Sequence, residues 1–194
     1  MTKQTWKPGN MLYPLPAVMV SVADKEGKSN IITVAWTGTV CTNPPMLYIS
    51  VRPERHSYHM IEETGEFVIN LTSGAMARAT DFCGVRSGRE MDKLAATGLT
   101  VEPAKEIAAP VIAQSPLALE CRVKQIIPLG SHDMFLAEIV AVDVEERLLD
   151  EAGKLHLEKA GLMAYSHGEY FAMGKKIGSF GYSARKKRPK NPTG

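Results

Sequence analysis

The chain has only three cysteines in 194 residues, and no two of them form a Cys-x-x-Cys pair. Cys41, Cys83 and Cys121 lie far apart, which excludes a zinc knuckle and a dithiol redox motif. The odd count argues against a disulfide framework, so buried free thiols are expected. No apolar run approaches the roughly 20 residues that cross a bilayer, and no membrane partner is expected. Met1 to Trp6 lack the apolar stretch of a secretory signal, which makes the cytoplasm the expected compartment. Also absent are a Gly-x-Ser-x-Gly elbow, a P-loop and a Gly-x-Gly-x-x-Gly turn behind a strand. A Rossmann dinucleotide site is thereby set aside. His56 and His59 are three apart with no third ligand nearby in sequence, so no metal site is expected. No nucleophile or acid–base pair stands out, and no catalytic side chain is assigned.

What is present fits one domain with a real core: hydrophobic residues make up 44% and charged residues 23%, ordinary values for a globular chain. Charge is unevenly placed. From Lys175 onward there are seven basic residues and no acid, whereas residues 1–174 hold 16 bases against 21 acids, a net of −5. An acidic body argues against a dedicated nucleic-acid binder. The domain is expected over residues 1–185, with 186–194 as a basic, disordered tail of few apolar residues and two prolines.

Alternating β-prone residues predict strands over Pro16–Ala23 and Asn30–Trp36, joined as a hairpin by the polar turn Asp24–Lys28. Asn43-Pro44-Pro45 is a break, and Met46–Val51 is a third strand. A helix is expected over Ser57–Glu63, ended by Gly65. Phe67–Leu71 reads as a buried strand. Ser73 is placed as the cap of a helix over Ala75–Phe82, and a short helix is expected from Ser87 to Leu94, with Gly98 ending it. Ala118–Ile127 and Met134–Val144 read as a long antiparallel pair. Leu162–Phe171 reads as semi-helical. The sum is mainly β with short helices, a small closed or partly closed barrel rather than a parallel sheet.

The most informative segment is Ser50–Tyr58. It ends an apolar strand and opens a helix, and it carries Arg52, Arg55, Ser57 and the Tyr58 hydroxyl. A strand-to-helix junction offers unpaired N–H groups and the positive end of a helix dipole. Arginine adds a rigid fork of donors suited to phosphate. The plain alternative is two surface arginines on a loop. Two other segments have a chemistry of their own. Asn30–Gly38 mixes Thr33, Trp36, Thr37 and Thr39 with Val34 and Ala35, a strand end able to face a flat heteroaromatic ring, or simply a threonine-rich strand with a core tryptophan. Ser87, Arg89 and Lys93 form a third donor set, or a solvated loop with a weak surface ion pair.

Taken in order, Ser29–Trp36 with Asn43-Pro44-Pro45, Ser50–Ser57, Phe67–Leu71, Cys83-Gly84, Ser87-Gly88-Arg89, Asp92-Lys93 and Tyr182-Ser183 resemble the flavin reductase-like, FMN-binding split-barrel family, and within it the flavoredoxin-like branch. The resemblance covers about residues 10–185. It implies a six-stranded split β-barrel with Greek-key connections, a homodimer, and FMN near the subunit interface. Carried over by residue, Thr33, Ala35, Trp36 and Thr37 would line the isoalloxazine, and Ser50, Val51 and Arg52 would meet the ring and ribityl chain. Arg55, Ser57 and Tyr58 would hold the phosphate, with His56 in the same cofactor-binding set and Lys93 as an extra charge. The implied activity is an FMN-dependent oxidoreductase drawing on NADH or NADPH, or else an electron-transfer protein reduced by a redox partner protein. Flavin brings its own redox chemistry, which agrees with the lack of an acid–base dyad.

Overall fold

The structure is a computed structural model that describes residues 1–184. The basic tail expected over 186–194 lies outside the described residues.

The chain opens with a short strand, β1 (Leu15–Pro16), followed by β2 (Val18–Ala23) and β3 (Ser29–Val34). β2 and β3 form the expected hairpin, with Val20 opposite Ile32, and Gly27 takes the positive φ its turn requires. The chain then re-enters the sheet as β4 (Thr37–Cys41), which pairs with β5 (Met46–Val51). β4 was not expected from the sequence. Helix α1 (His56–Thr64) follows and ends at Gly65 in the left-handed conformation, where its N–H reaches the Ile61 carbonyl at 2.8 Å.

Next comes β6 (Glu66–Leu71), which lies beside β2 and not beside β5. This return across the sheet is the Greek-key step. A single 3₁₀ turn over Gly74–Met76 leads into α2 (Ala77–Val85). The helix therefore starts later than expected, and the Ser73 side chain caps nothing. α3 (Lys93–Thr97) also starts later, because Asp92 is its cap: the carboxylate accepts from the Ala95 N–H at 3.1 Å. Two short strands, β7 (Val101–Glu102) and β8 (Val111–Ile112), precede the long pair β9 (Leu117–Pro128) and β10 (Asp133–Val144), which is as expected.

The stretch over Leu162–Phe171 is not helical. It forms a second hairpin, β11 (Met163–Ser166) and β12 (Glu169–Ala172), turning at His167-Gly168, both with positive φ. β11 pairs with β1, so a three-stranded sheet forms from the two ends of the chain.

The main sheet runs β3-β2-β6-β9-β10-β5-β4, seven strands where the resemblance implied six. Its edge strands β3 and β4 are consecutive in the chain, separated only by Ala35 and Trp36. The sheet therefore curls to bring its two edges together, and the Ser50 N–H donates to the Trp36 carbonyl at 2.8 Å, extending the β4–β5 ladder to the turn between β3 and β4. The result is a split barrel, mainly β with short helices.

Alternate residues of each strand point inward, as the pleat dictates. Val18, Val20 and Val22, Leu47, Ile49 and Val51, Phe67 and Ile69, and Phe135 and Ala137 fill the barrel. Tyr58, Met60 and Ile61 of α1 join them. The opposite face of β2 and β3 presents Met19 and Ile31 to Met76 and Cys83, which fixes α2 outside the barrel. Cys83 and Cys121 are buried as expected, whereas Cys41 is half-buried. No helix among the described residues is long and apolar enough to cross a membrane.

Candidate functional site

A groove runs along the outer edge of β3 and the mouth of the split. It consists of two cavities of about 360 and 370 Å³ that share Ile32, Arg52 and Arg55, so they form one continuous site with two ends. The two ends differ in chemistry.

One end is lined by aromatic and small apolar side chains interspersed with polar ones. Thr33, Ala35 and Trp36 line it from the end of β3, and Ser50 and Val51 from the end of β5. The β9–β10 turn contributes His132, whose ring stacks on Trp36 with centroids 6.4 Å apart and planes 14° from parallel. Gly84 and Asp81 of α2 form another wall. Gly84 is close-packed: a Cβ there would lie 3.3 Å from the Thr33 Cβ. The β11–β12 hairpin adds Tyr165, Gly168 and Tyr170. The Tyr170 hydroxyl donates to Asp81 at 3.3 Å, tying the hairpin to α2, and its pKa is pushed up to about 12 by burial and by the Asp81 carboxylate.

The other end is cationic. Arg52, Arg55 and Arg86 line it with His56, Ser57, Ser87 and Lys93; Glu54 is the one carboxylate. Arg55 occupies the cap position of α1 in extended conformation, and no side chain caps the helix. The first-turn N–H groups thus lack a side-chain partner, and the helix dipole adds a positive potential. Ser57, 1% exposed, is held by Asn30, whose Nδ2 donates to the Ser57 Oγ at 2.8 Å. Gly88 lies directly on that amide: a Cβ there would come within 2.2 Å of Asn30 Oδ1. Two histidines report the local field. Burial lowers the pKa of His56, and Arg89, Lys28 and Lys93 lower it further. Burial lowers that of His132, with Arg52 adding to the effect. Both shifts favour the neutral imidazole, through burial first and the neighbouring cations second.

Of the twelve residues singled out from the sequence, ten line the groove: Thr33, Ala35, Trp36, Ser50, Val51, Arg52, Arg55, His56, Ser57 and Lys93. Thr37 and Tyr58 do not. The Thr37 hydroxyl is buried and donates to the Tyr48 carbonyl at 2.6 Å. Tyr58 lies three residues into α1, on the face that enters the barrel. It packs edge-on against Phe135, and its hydroxyl donates to Asp133 at 2.6 Å, a bond that with burial pushes its pKa up to about 12.

Lys93 reaches the groove with a different job from a free charge. It is 5% exposed, and its ammonium donates to the carbonyls of Ile31 on β3 and Cys83 on α2, at 2.8 and 2.9 Å. Arg89 bonds the Glu54 carbonyl at 3.1 Å, holding the 86–92 turn against the start of α1. Sequence reasoning missed His132, Arg86, Asp81, Tyr165 and Tyr170. The one local signal was the Gly130-Ser131-His132 turn, whose tip returns to Trp36.

The groove of this split barrel is aromatic-lined at one end and cationic at the other, and comparison with known proteins supplies the class. Residues 11–174 match the flavin reductase-like domain, and the chain belongs to that family. It superposes on the flavoredoxin of Desulfovibrio vulgaris (Miyazaki F) with a TM-score of 0.88 and 30% identity, covering 95% of this chain and 100% of that one. The flavoredoxin of Methanosarcina acetivorans gives 0.83 and 29%, covering 94% and 100%. Among curated sequences, an uncharacterised protein of Aeropyrum pernix is 32% identical over 133 residues, which is 68% of this chain and half the length of that relative.

Proposed function

We propose that the groove binds FMN, with the flavin ring against Trp36 and Val51 and the phosphate at Arg55 and Ser57, and that the protein is an NAD(P)H-dependent flavoprotein oxidoreductase. The carrying observation is the division of the groove: an aromatic-lined end and a cationic end at a helix N-terminus, joined through Arg52 and Arg55. The donor set fits a phosphate. Arg52, Arg55 and Arg86 supply forked donors, and α1 supplies free N–H groups. When bound, FMN supplies the electron-accepting ring. The chain's own residues bind, orient and shield. Trp36 and His132 form a stacked pair at the wall of the ring end. The hairpin residues Tyr165 and Tyr170 cover that end from outside. The backbone around Ala35–Thr37 is held by the Ser50–Trp36 bond and by the Thr37 hydroxyl.

A second reading is a flavoredoxin-like electron carrier, reduced by a redox partner protein and inert to nicotinamides. The full-length likeness to two flavoredoxins favours it. The proposal also takes the chain as a single domain over residues 1–185, cytoplasmic, and a homodimer. Exposed apolar side chains on the flanking segments, among them Leu12, Met173, Ile177 and Phe180, support association with a second copy. Purification decides the main question. A yellow protein whose extracted chromophore is FMN, bleached by NADH or NADPH, supports the reductase. Bleaching by dithionite alone supports the carrier. A colourless protein that takes up no added FMN overturns both.

A further inference from the structure

The segment 103–110, between β7 and β8, lies on the outer face of the main sheet, where Ile107 and Ala109 pack against Val68 and Ala118. It belongs to no strand, and side chains take the place of a neighbouring strand's carbonyls. The Lys105 and Glu106 N–H groups donate to the two oxygens of Glu120 on β9, at 2.8 and 2.7 Å. The Ala108 N–H donates to Glu66 on β6 and the Ile112 N–H to Asn70 on the same strand, both at 2.8 Å. Glu120 is 0% exposed, so the segment is fastened to a carboxylate sealed beneath it.

The same face carries a second acid. Asp143 on β10 stands opposite Ala118, two residues along β9 from Glu120, which makes the two carboxyl groups diagonal neighbours. Asp143 is half-buried, but its Oδ2 is shut off from solvent and receives no N–H or O–H donor among the described residues. A buried oxygen without a donor is unfavourable, and two ionised carboxylates side by side are more so. One proton relieves both: Oδ2 becomes a donor and Glu120 its acceptor. Burial first, then the charge of Glu120 and a hydrogen bond to it, push the Asp143 carboxyl above its ordinary range, while Lys105 opposes them. Other charges on this face are matched or solvated. Glu66 pairs with Arg122 at 3.4 Å, Glu138 pairs with Lys124 at 3.0 Å, and the Lys105 and Glu106 side chains are exposed. Arg122 also donates to the Glu106 carbonyl.

We propose that Asp143 and Glu120 form a proton-dependent clasp: a protonated Asp143 donates to Glu120 and keeps the 103–110 segment docked, and loss of that proton sets two carboxylates against each other and frees the Lys105 and Glu106 N–H groups. The folded-state value of Asp143 lies above the ordinary 3.8, so docking is strongest below pH 3.8 and weakens as pH rises through the folded value. The clasp borders the backing of the groove. Ile112, just past the segment, is 0% exposed and packs with Met19, Ile31 and Cys83 behind β3.

Amide hydrogen exchange of the full chain, read by NMR between about pH 4 and pH 9 and corrected for intrinsic rates, tests the clasp. Protection of the Lys105 and Glu106 N–H groups should fall by about tenfold or more as pH rises, the effect of losing one charge-assisted hydrogen bond. In Asp143→Asn, whose amide donates at every pH, the change should stay within about threefold. Carbon-13 titration of the Asp143 carboxyl in the unmodified protein needs no variant, and its midpoint should lie above 3.8. Protection that does not vary with pH, a loss as large in Asp143→Asn, or a midpoint at or below 3.8 overturns the proposal.

Discussion

Gly88→Ala is the sharpest single perturbation of the cationic end. A Cβ at this position would lie 2.2 Å from Oδ1, 2.7 Å from Cγ and 2.9 Å from Nδ2 of Asn30. None of these separations is tolerable, so either the amide or the 86–92 turn has to move by about 1 Å. Asn30 has little room, being 7% exposed, and its Nδ2 holds the Ser57 hydroxyl at 2.8 Å. Displacing the amide breaks a buried bond at a cost of about 1–3 kcal/mol, and overpacking adds about 1–3 kcal/mol more. For a chain of this length, about 2–4 °C of Tm is lost per kcal/mol, so a fall of roughly 4–24 °C is expected. Ser57 also loses its anchor at the phosphate end, so FMN affinity should fall with stability. Thermal unfolding and FMN titration of the same preparation read both effects. Gly84→Ala is the control. Its Cβ would meet Thr33 at 3.3 Å, a tight contact, but alanine favours the helix by about 1 kcal/mol over glycine, so the net change should be small. A Gly88→Ala protein that matches the unmodified one in Tm and in FMN affinity would falsify the claim that Asn30 and Ser57 form a close-packed unit under this turn.

Other outcomes follow from the same contacts. Arg55→Ala should weaken FMN binding by about one to two orders of magnitude while leaving riboflavin binding nearly unchanged, because the arginine acts on the phosphate; equal losses for both ligands would contradict that assignment. Lys93→Met should lower stability by about 1–3 kcal/mol in urea unfolding, because the Ile31 and Cys83 carbonyls lose their shared donor, even though a buried charge is removed as well. His156 sits between Asp150, at 2.9 Å from Nε2, and Glu158, at 3.0 Å from Nδ1. Asp150 first and Glu158 second raise its pKa above the ordinary 6.5. The stabilisation it gives to the 148–158 loop is therefore full below pH 6.5 and is lost as pH rises through the folded-state value. NMR titration of the imidazole should show that raised value returning toward 6.5 in Asp150→Asn, and an unshifted titration in the unmodified protein would refute it.

Much of the barrel could be read from the chain. The β2–β3 and β9–β10 hairpins announce themselves by β-prone runs flanking Gly27 and Gly130. The α1 stop follows from Gly65. The strand over Thr37–Cys41 escaped because its pairing with β5 lies beyond a proline break, and short polar strands carry little local signal. The hairpin over 163–172 escaped for a related reason. Tyr165, Tyr170 and Phe171 do not alternate strictly with polar residues, and the segment becomes a strand by pairing with β1 from the far end of the chain. The groove divides the same way. Arg52, Arg55 and Ser57 were legible because one junction supplies them all. His132, Asp81 and Tyr170 come from three distant elements that only the tertiary fold brings together. Tyr58 misled because a hydroxyl next to Ser57 in sequence projects from a different face of the helix.

The Lys93 bond to the Ile31 carbonyl has a consequence for solubility. β3 forms one border of the main sheet, and an open border presents a ladder of unpaired groups to which a foreign strand can add. The ammonium of Lys93 and the Thr33 hydroxyl, bonded to the Thr80 carbonyl, fasten α2 and the start of α3 over that border. The floor of the groove and the guard against self-templating are thus the same few atoms. A substitution that loosens the floor of the groove should therefore also uncover this sheet border.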